Sequence, residues 1–393
     1  MTSTLLTQPL ESPDGGLCRR AAELQTAVLP ERTTPLPLIS VVVCTYNRAH
    51  WLGEAVRSLF SLQTGGQFRY ELVLIDNAST DATACVIAAL VEESPVPCRG
   101  VYEPRPGVSC ARNRGISEAQ GDWIAFFDDD QFADERWLAE LWSLAQRQRC
   151  GSVGGSVWLR WTGGEPEQYG PFARVLLGET VGREQEQRYT HKVAPGAGNW
   201  MIARAVLTQV GPFDESLQSA GEDTDLYRRI RAAGCESWFT PTALVWHRIP
   251  EERLRPESLL WTADRIGGHV ARREQRELSA LAVTGMLLAR IVQLLLAAGP
   301  QRIRAALRVD PARQLDNRCW RAFLGGYFRW WWQQTGLQTK AQRELVQQQD
   351  FRSRGPQGTR NVASTSATET VSGLAISAPA QPTISATCVS SAH

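Results

Sequence analysis

The feature that most constrains the fold is an apolar, valine-rich run from Leu38 to Cys44. A strand with one face in water would alternate apolar and polar residues, whereas a run of this kind is typical of a strand covered on both faces. Such strands occur mainly in parallel sheets with helices packed on either side. The run therefore predicts a central strand of an α/β sheet.

Helix-like and strand-like segments alternate after this run. Apolar residues at helical spacing occur between 52 and 60 and between 84 and 91. Further strands are predicted at 70–75, 101–102 and 123–127. Because the connections are short, we predict a mostly parallel central sheet flanked by helices, followed by a C-terminal helical extension.

Composition divides the chain into four regions. Residues 1–37 and 336–393 are rich in small and polar residues, which predicts a flexible leader and a low-complexity, disordered tail. Residues 38–250 hold the α/β pattern. Residues 251–335 form a basic, tryptophan-rich region that we predict to be helical.

Polar clusters follow the first, second and fourth predicted strands. They are Thr45 to Arg48, Asp76 with Asn77, and Asp128 to Asp130. Ligands of open α/β sheets bind beyond the carboxyl ends of the strands, where these clusters are expected to meet. A ligand-binding edge is therefore predicted there.

The aspartate triplet predicts a divalent cation. Three adjacent carboxylates would repel one another in a partly dry pocket, and a bound cation removes that cost. Oxygen ligands select Mg²⁺, Mn²⁺ or Ca²⁺. Since alternate residues of an extended segment point the same way, Asp128 and Asp130 are the expected pair. The alternative is an acidic turn that caps the next helix.

Other clusters have both a functional and a structural interpretation. Arg112 lies in a helix start that suits a diphosphate, or on a solvated basic helix. Glu222 and Asp223 open another helix, where an ionised carboxylate can act as a general base or merely cap the helix. Asp76 can accept a bond from a ribose or base, or close a local turn.

Two further segments have open interpretations. The glycine-rich segment from Pro195 to Trp200 either approaches a substrate or forms a tight turn. His247, which follows a strand-like segment, is a structural histidine or a metal ligand. Residues 162–192 form a polar insert that is expected to act as a lid or to shape acceptor choice.

Several functional classes are disfavoured. The chain has neither a G-x-x-x-x-G-K-[ST] loop nor a G-x-G-x-x-G turn after its first strand. Its net charge is +1, so we expect no nucleic-acid partner. The nine cysteines form no C-x-x-C pair, and the first thirty residues lack a secretory pattern. Reduced thiols and a cytoplasmic location are therefore expected.

Five short motifs follow one another in order. They are Val41 to Arg48, Ile75 to Ser79, Ala111 to Gly115, Phe127 to Asp130, and Gly221 to Leu226. In type and order they resemble the motifs of the family-two inverting glycosyltransferases. The resemblance covers roughly residues 38 to 250, a little over half of the chain.

The resemblance implies a GT-A, Rossmann-like nucleotide-diphospho-sugar transferase fold over 38–250, with Mn²⁺ or Mg²⁺ as cofactor. It implies that Asp223 is the base that deprotonates the acceptor hydroxyl, in a single displacement that inverts the anomeric carbon. The implied donor-binding residues are Thr45, Asn47, Arg48, Asp76, Arg112 and Asp128. The implied acceptor-binding residues are Asn199, Trp200 and Glu222. The implied metal ligands are Asp128, Asp130 and His247.

The expected substrates are a nucleotide-diphospho-sugar donor and a saccharide or lipid-linked acceptor, in the synthesis of a cell-surface polysaccharide or glycolipid. One alternative is a sugar-phosphate nucleotidyltransferase, which the first loop, Thr-Tyr-Asn-Arg, disfavours. Another is a non-catalytic nucleotide-sugar-binding scaffold. The sequence specifies neither the donor sugar and its base nor the acceptor.

The region after residue 250 suggests contact with a membrane. An apolar stretch from Leu278 to Gly299 contains Arg290, and residues 251–335 hold fourteen arginines against eight acidic residues. Tryptophan beside arginine is typical of an interfacial helix on anionic lipid. We therefore predict peripheral contact through 278–335 at the cytoplasmic face. A packed helical subdomain and a true membrane span are the alternatives.

Overall fold

The computed structural model describes residues 35–161, 163, 166–190, 193–217, 221–277, 282–290, 292 and 310–334. Most of the predicted leader, the whole predicted tail and part of the apolar stretch 278–299 lie outside these residues. The described strands form one nine-stranded sheet, in the order β3-β2-β1-β4-β8-β6-β9-β5, with β7 paired to β9. Their bounds are β1 Leu38–Thr45, β2 Arg69–Asp76, β3 Cys98–Tyr102, β4 Trp123–Asp128, β5 Gln131–Ala133, β6 Ser152–Trp161, β7 Gln187–Arg188, β8 Asn199–Ala203 and β9 Ser237–Ile249.

One half of the sheet is parallel and is built around β1. This strand pairs in parallel with β2 and β4, and β2 pairs in parallel with β3. Ile39, Val41 and Val43 are fully buried, as the apolar run predicts. The α/β class and the central position of this strand are confirmed.

The other half of the sheet is mostly antiparallel. β8 pairs antiparallel with both β4 and β6, and β9 pairs antiparallel with β5 and β7. Only the β6–β9 pair is parallel among the described pairings of this half. The prediction of a mostly parallel sheet thus holds for β1 to β4. The later strands lack the regular strand–helix–strand alternation that parallel crossovers require.

Helices flank the sheet and also form the C-terminal part. Their bounds are α1 Ala49–Arg57, α2 Thr83–Glu93, α3 Val108–Glu118, α4 Trp137–Gln148, α5 Pro171–Leu176, α6 Arg204–Val210, α7 Glu222–Ala232, α8 Glu251–Leu254, α9 Pro256–Glu277, α10 282–290 and α11 Pro311–Gln334. Gly115 allows α3 to approach β1 closely, because a Cβ there would lie 2.2 Å from Val42 Cγ1. The glycine of this motif therefore sets the packing of a helix that carries site residues.

The chain divides into two compact units. The first holds the described residues up to Leu259 together with 310–317, and it contains the whole sheet. The second unit is described at 260–277, 282–290, 292 and 318–334. These residues are all helical, and Ala271, Val283, Leu287 and Tyr327 form a small core among them. Within the described residues, no helix combines the length and the apolar character needed to cross a membrane.

Candidate active site

Three strands of the parallel half end side by side. Thr45 at the end of β1 lies opposite Asp76 of β2, and Cys44 lies opposite Asp128 of β4. Thr45 and Asp76 are almost fully buried. The carboxyl edge of the sheet therefore brings together the clusters that follow the first, second and fourth predicted strands.

The three aspartates after β4 have different neighbours. Asp128 Oδ1 lies 3.6 Å from Arg112 Nη2. Asp130 Oδ1 lies 3.4 Å from His247 Nε2, and its Oδ2 lies 3.9 Å from Arg48 Nη2. The triplet thus lies among two guanidinium groups, from α3 and from the loop after β1, and an imidazole from β9.

Burial and mutual repulsion set the charge of the triplet. Burial, outweighing the charge of Arg112, raises the pKa of Asp128. Burial and the charge of Asp130 raise the pKa of Asp129 to about 7. For Asp130, burial is outweighed by His247 and Arg48, which hold its pKa below the usual value. An added cation would relieve the repulsion among these carboxylates.

The orientation of His247 is fixed by the insert between β6 and β8. Its Nδ1 lies 3.1 Å from the carbonyl oxygen of Leu177. Because a carbonyl only accepts, Nδ1 carries the hydrogen, and Nε2 is the atom that faces Asp130. A neutral ring then presents a lone pair to a carboxylate oxygen. A proton or a metal ion between the two atoms removes that repulsion.

Arg112 connects the aspartate triplet to the start of α7. It is buried, and its Nη1 donates a 2.6 Å hydrogen bond to Glu222 Oε1 while its Nη2 faces Asp128. Glu222, predicted to bind the acceptor, therefore has one carboxylate oxygen held by Arg112. Removing Arg112 would leave the buried Glu222 carboxylate without this partner, so the pair fixes the position of the helix start.

Asp223 lies in the first turn of α7, next to Glu222. Burial and the charge of Glu222 raise its pKa. Its Oδ1 accepts hydrogen bonds from the backbone N–H of Thr224, at 2.6 Å, and from the Thr224 hydroxyl, at 3.2 Å. A carboxylate with a raised pKa is a stronger base than ordinary aspartate, which suits the role assigned to it.

The loops after β1 and β2 are joined by side-chain hydrogen bonds. Asn47, with a φ of 53°, accepts a 2.7 Å bond from the Thr80 N–H, and its own N–H donates to Ser79 Oγ. Asp76 Oδ1 accepts from the Ser79 N–H at 2.9 Å. One oxygen of Asp76 thus closes a local turn. The donor-binding role of Asn47 and Asp76 stays a prediction.

Asn199 and Trp200, predicted to border the acceptor side, have interior side chains, and their acceptor-binding role stays a prediction. Trp200 is fully buried, and its indole N–H donates to Ser152 Oγ. Asn199 is 2% exposed; its Nδ2 donates to two backbone carbonyls, and its Oδ1 accepts from Trp137 Nε1. Both side chains stabilise the junction of β8 with its neighbours.

Gly198, in the glycine-rich segment, leaves room for the Asp128 side chain. A Cβ at this position would lie 2.1 Å from Asp128 Oδ2 and 2.7 Å from Gln131 Nε2. At Gly196, two residues earlier, a Cβ would meet nothing within 4 Å. The backbone of this segment therefore approaches the acidic cluster closely at residue 198, but not at residue 196.

The residues present fit a Mg²⁺ or Mn²⁺ ion that is shared with a phosphate-bearing ligand. Across the described ranges, no three acidic, histidine or cysteine side chains are grouped so that they could hold a metal ion by themselves. Such ions commonly take one or two carboxylates and complete their shell with substrate phosphates and water. Asp128, Asp130 and His247 supply suitable donors. Asp130 and His247 are separated by 3.4 Å, close to the roughly 3 Å between adjacent ligands of an octahedral ion.

The sequence analysis does not identify two of the residues at this edge. Gln131 is 3% exposed, and its Oε1 has no hydrogen-bond partner in the described part of the chain. Arg253 Nη1 lies 3.5 Å from His247 Nε2, and burial lowers the pKa of Arg253. Adjacency to the triplet could have signalled Gln131. Arg253 reaches the site because the chain turns at Pro250 into α8. No sequence pattern indicates this turn.

Comparison with known proteins gives consistent matches. The family model described as Glycosyl transferase family 2 matches residues 40–210, a segment that contains Asp128 and Asp130 but ends before Asp223. The succinoglycan biosynthesis protein ExoM of Rhizobium meliloti is 31% identical over 231 residues, which cover 58% of this chain and 71% of that protein. Glycosyltransferase AglE of Haloferax volcanii is 26% identical over 217 residues, covering 55% and 68%.

A solved structure has the same fold. The mannosyltransferase PcManGT from Pyrobaculum calidifontis, in complex with GDP-Man and Mn²⁺, matches with a TM-score of 0.52 and 18% identity. The match covers 81% of this chain and 94% of that one. At this level of identity the likeness concerns the fold.

Proposed function

The chain belongs to glycosyl transferase family 2, and we propose that it transfers a sugar from a nucleotide-diphospho-sugar donor to a saccharide or lipid-linked acceptor with inversion. The observation that carries the proposal is the linkage of Asp128 through Arg112 to Glu222, next to Asp223. This linkage joins the acidic edge of the sheet, which suits a metal ion bound to a diphosphate, with the start of α7. That helix start holds Asp223, a carboxyl group with a raised pKa. The name of ExoM supports a role in polysaccharide synthesis.

In the proposed reaction, Asp223 removes the proton of the acceptor hydroxyl as that oxygen attacks the anomeric carbon of the donor. The bond from that carbon to the diphosphate breaks on the opposite side, which inverts its configuration. Arg48, Arg112 and Arg253 lie around the acidic edge and partly neutralise the departing nucleoside diphosphate. A Mn²⁺ or Mg²⁺ ion held by Asp128, Asp130 and His247 would supply further charge stabilisation when bound.

The proposal is tested by turnover with defined donors. The purified chain is incubated with UDP-, GDP- and CDP-linked sugars, Mn²⁺ and a lipid extract of bacterial membranes, and the anomeric configuration of the product is read by NMR. We expect one nucleotide class to be consumed, with an inverted product. A retained configuration contradicts a single displacement by the acceptor hydroxyl with Asp223 as its base. In a parallel incubation, consumption of a sugar 1-phosphate with a nucleoside triphosphate would favour a nucleotidyltransferase.

Gly198→Ala is expected to weaken Mn²⁺-dependent nucleotide binding about tenfold, because the added methyl group displaces Asp128 from its position. Overpacking is expected to cost about 1–3 kcal/mol of unfolding free energy. Titration calorimetry measures the first effect and thermal unfolding the second. Gly196→Ala, with open space around its Cβ, is the control. Equal affinity in the two variants would contradict the close approach at residue 198.

We further propose that the second unit contacts an anionic membrane surface peripherally. Leu288, Val292, Phe328 and Trp332 are large apolar side chains that remain 38–58% exposed. The rings of Phe328 and Trp332 stack, with centroids 6.2 Å apart. Exposed aromatic groups in an arginine-rich helical region are the composition of an interfacial surface.

The central arginine of the apolar stretch is already paired within this unit. Arg290 donates two hydrogen bonds to Glu274, at 2.8 and 2.6 Å, and its guanidinium lies over the ring of Tyr327. Tyr327 also donates to Glu274 at 2.7 Å. This network favours a helical unit that packs on itself and lies on the membrane rather than crossing it.

Flotation with liposomes tests this surface. Phe328→Ser with Trp332→Ser is expected to lower partitioning into phosphatidylglycerol vesicles at least tenfold, since each aromatic group buries apolar area on binding. Trp158→Ser, which removes a tryptophan that is 52% exposed from β6 in the first unit, is the control. Unchanged flotation of the double variant would rule out this surface.

A further inference from the structure

The carbonyl oxygen that orients His247 lies at the end of a very short helix. The helix α5, Pro171–Leu176, has six residues, and Leu177 follows as its C-terminal cap. The Leu177 N–H donates to the carbonyl oxygen of Ala173 at 3.1 Å, so the position of Leu177 depends on the last turn of α5. A helix of this length is marginal in isolation, because few backbone hydrogen bonds offset the cost of ordering it. Contacts with the rest of the chain therefore decide whether α5 holds its place.

The N-terminus of α5 is capped by a residue that is distant in the sequence. Asp316, in α11, accepts the Phe172 N–H at 3.0 Å on Oδ2 and the Ala173 N–H at 2.8 Å on Oδ1. Pro171 has no N–H, and Gly170 before it has no side chain that could cap the helix. Asp316 therefore binds the two N–H groups that this first turn leaves without a partner within the helix. Its negative charge is also favourable at this end of the helix dipole.

Gly170 leaves the space that the Asp316 carboxylate occupies. A Cβ at residue 170 would lie 2.3 Å from Asp316 Oδ2 and 2.5 Å from its Cγ. The backbone at Gly170 has a φ of −72°, which any residue can adopt. The missing side chain thus makes room for the carboxylate and is not needed by the backbone. Asp316 belongs to the same compact unit as α5 and the sheet.

The other end of α5 sets the direction of the imidazole. His247 Nδ1 lies 3.1 Å from the Leu177 carbonyl oxygen, and its Nε2 lies 3.4 Å from Asp130 Oδ1. Gly178 follows with a φ of 97°, and a Cβ there would lie 3.2 Å from Nδ1. The backbone after α5 therefore packs directly against the ring. A shift of the helix would move the carbonyl oxygen and allow the ring to turn away from Asp130.

We propose that Asp316 is a positioning residue for His247: by capping α5, it holds the Leu177 carbonyl oxygen where it keeps Nε2 of the imidazole toward Asp130. The effect on metal binding rests on the proposed function, in which His247 is a metal ligand. The orientation of the ring is a property of the metal-free chain, so it is measured separately. The two measurements therefore distinguish a failure of this inference from a failure of the proposed function.

The first test reads the tautomer of His247 by nitrogen NMR of the metal-free full chain with labelled histidine, at a pH above the usual histidine pKa of about 6.5. In the wild type we expect the hydrogen on Nδ1, because the Leu177 carbonyl oxygen only accepts. In Asp316→Ala we expect the hydrogen to shift toward Nε2, where the Asp130 carboxylate can accept it.

The second test is calorimetry with whichever of UDP, GDP and CDP the wild type binds in the presence of Mn²⁺. Asp316→Ala is expected to weaken that binding about tenfold, as the loss of a group that orients a metal ligand does, and to leave the metal-free affinity unchanged. In a His247→Gln background the same substitution should have no further effect, because the residue through which it acts is gone. General damage to the fold would instead lower the affinity in both backgrounds.

Two further variants separate the cap of α5 from the stability of α11. Asp310→Ala removes the acceptor of the Ala312 and Arg313 N–H groups at the start of α11, and it should leave both readouts as in the wild type. Gly170→Ala keeps the Asp316 carboxylate but displaces it from α5, and it should change both readouts in the same direction as Asp316→Ala. Since Gly170→Ala leaves α11 unaltered, it keeps the test decisive if Asp316→Ala does not fold.

An unchanged His247 tautomer in the folded variants at Asp316 and Gly170 would overturn the proposal. An equal loss of nucleotide affinity in the wild-type and His247→Gln backgrounds would also overturn it, because the effect would then bypass the imidazole. If the wild type binds none of the three nucleotides while the tautomer shifts in both variants, the positioning of His247 is supported and the proposed function is contradicted.

Discussion

Asp223→Asn is expected to lower the turnover number about 10²- to 10⁴-fold while leaving donor affinity within twofold of the wild type. The amide has nearly the shape of the carboxylate, and its oxygen can still accept the Thr224 hydrogen bonds seen at Asp223. It cannot take a proton from the acceptor hydroxyl. The loss should therefore appear in the chemical step rather than in binding.

The matched control is Asp225→Asn, two residues further along α7. Asp225 is paired with Arg229 at 2.9 Å on the helix surface, and we expect its variant to retain turnover within about twofold. Single-turnover kinetics on both variants separate chemistry from binding. Equal activity of the wild type and Asp223→Asn would remove Asp223 from its assigned role.

The raised pKa of Asp223 adds a prediction about pH within the same experiment. Burial and Glu222 raise this pKa above the usual aspartate value near 3.9. Because the base must be ionised, kcat/KM should fall as the pH drops through that raised pKa. The acid limb of the profile should therefore lie above the range of an ordinary aspartate, and it should be absent from the residual activity of Asp223→Asn.

Asp130→Ala is expected to abolish the contribution of Mn²⁺ to nucleotide binding, weakening it about 100-fold or more when metal is present. Among the three pKa values of the triplet that of Asp130 is the lowered one, and its side chain lies beside His247 and Arg48. Its loss removes a hard oxygen ligand and leaves the charge of Arg48 uncompensated. Without metal, the variant should therefore bind UDP at least as well as the wild type does.

Calorimetry with and without Mn²⁺ distinguishes this outcome from general damage to the fold. Asp134→Ala serves as the control, because the Asp134 side chain accepts the Arg136 N–H in the turn before α4. The control should keep the full metal effect. An Asp130→Ala variant with an undiminished metal effect would exclude Asp130 as a ligand.

The parallel half of the sheet is predictable because its sequence signals are local. The valine-rich run specifies a strand buried on both faces, and each following cluster marks the point at which a strand ends. Pairing in parallel register then places Thr45, Asp76 and Asp128 together. Strand polarity in the second half depends on long connections, so local periodicity does not determine it.

Individual side chains at the site are less predictable. Asn199 and Trp200 end a glycine-rich segment of the kind that can approach a ligand, yet β8 lies between β4 and β6 and both side chains are enclosed. Only the three-dimensional register shows that Asn199 satisfies two backbone carbonyls. Leu177 likewise orients His247 from 70 residues away, through a backbone atom that carries no sequence signature.

The central claim is that the carboxyl edge of the sheet binds a nucleoside diphosphate together with a divalent metal. The most direct measurement is titration calorimetry of the full chain with UDP, GDP and CDP, each with and without Mn²⁺. We expect one nucleotide to bind, and to bind at least tenfold more tightly with Mn²⁺. A folded chain that binds none of the three, or binds one equally well without metal, would contradict the claim.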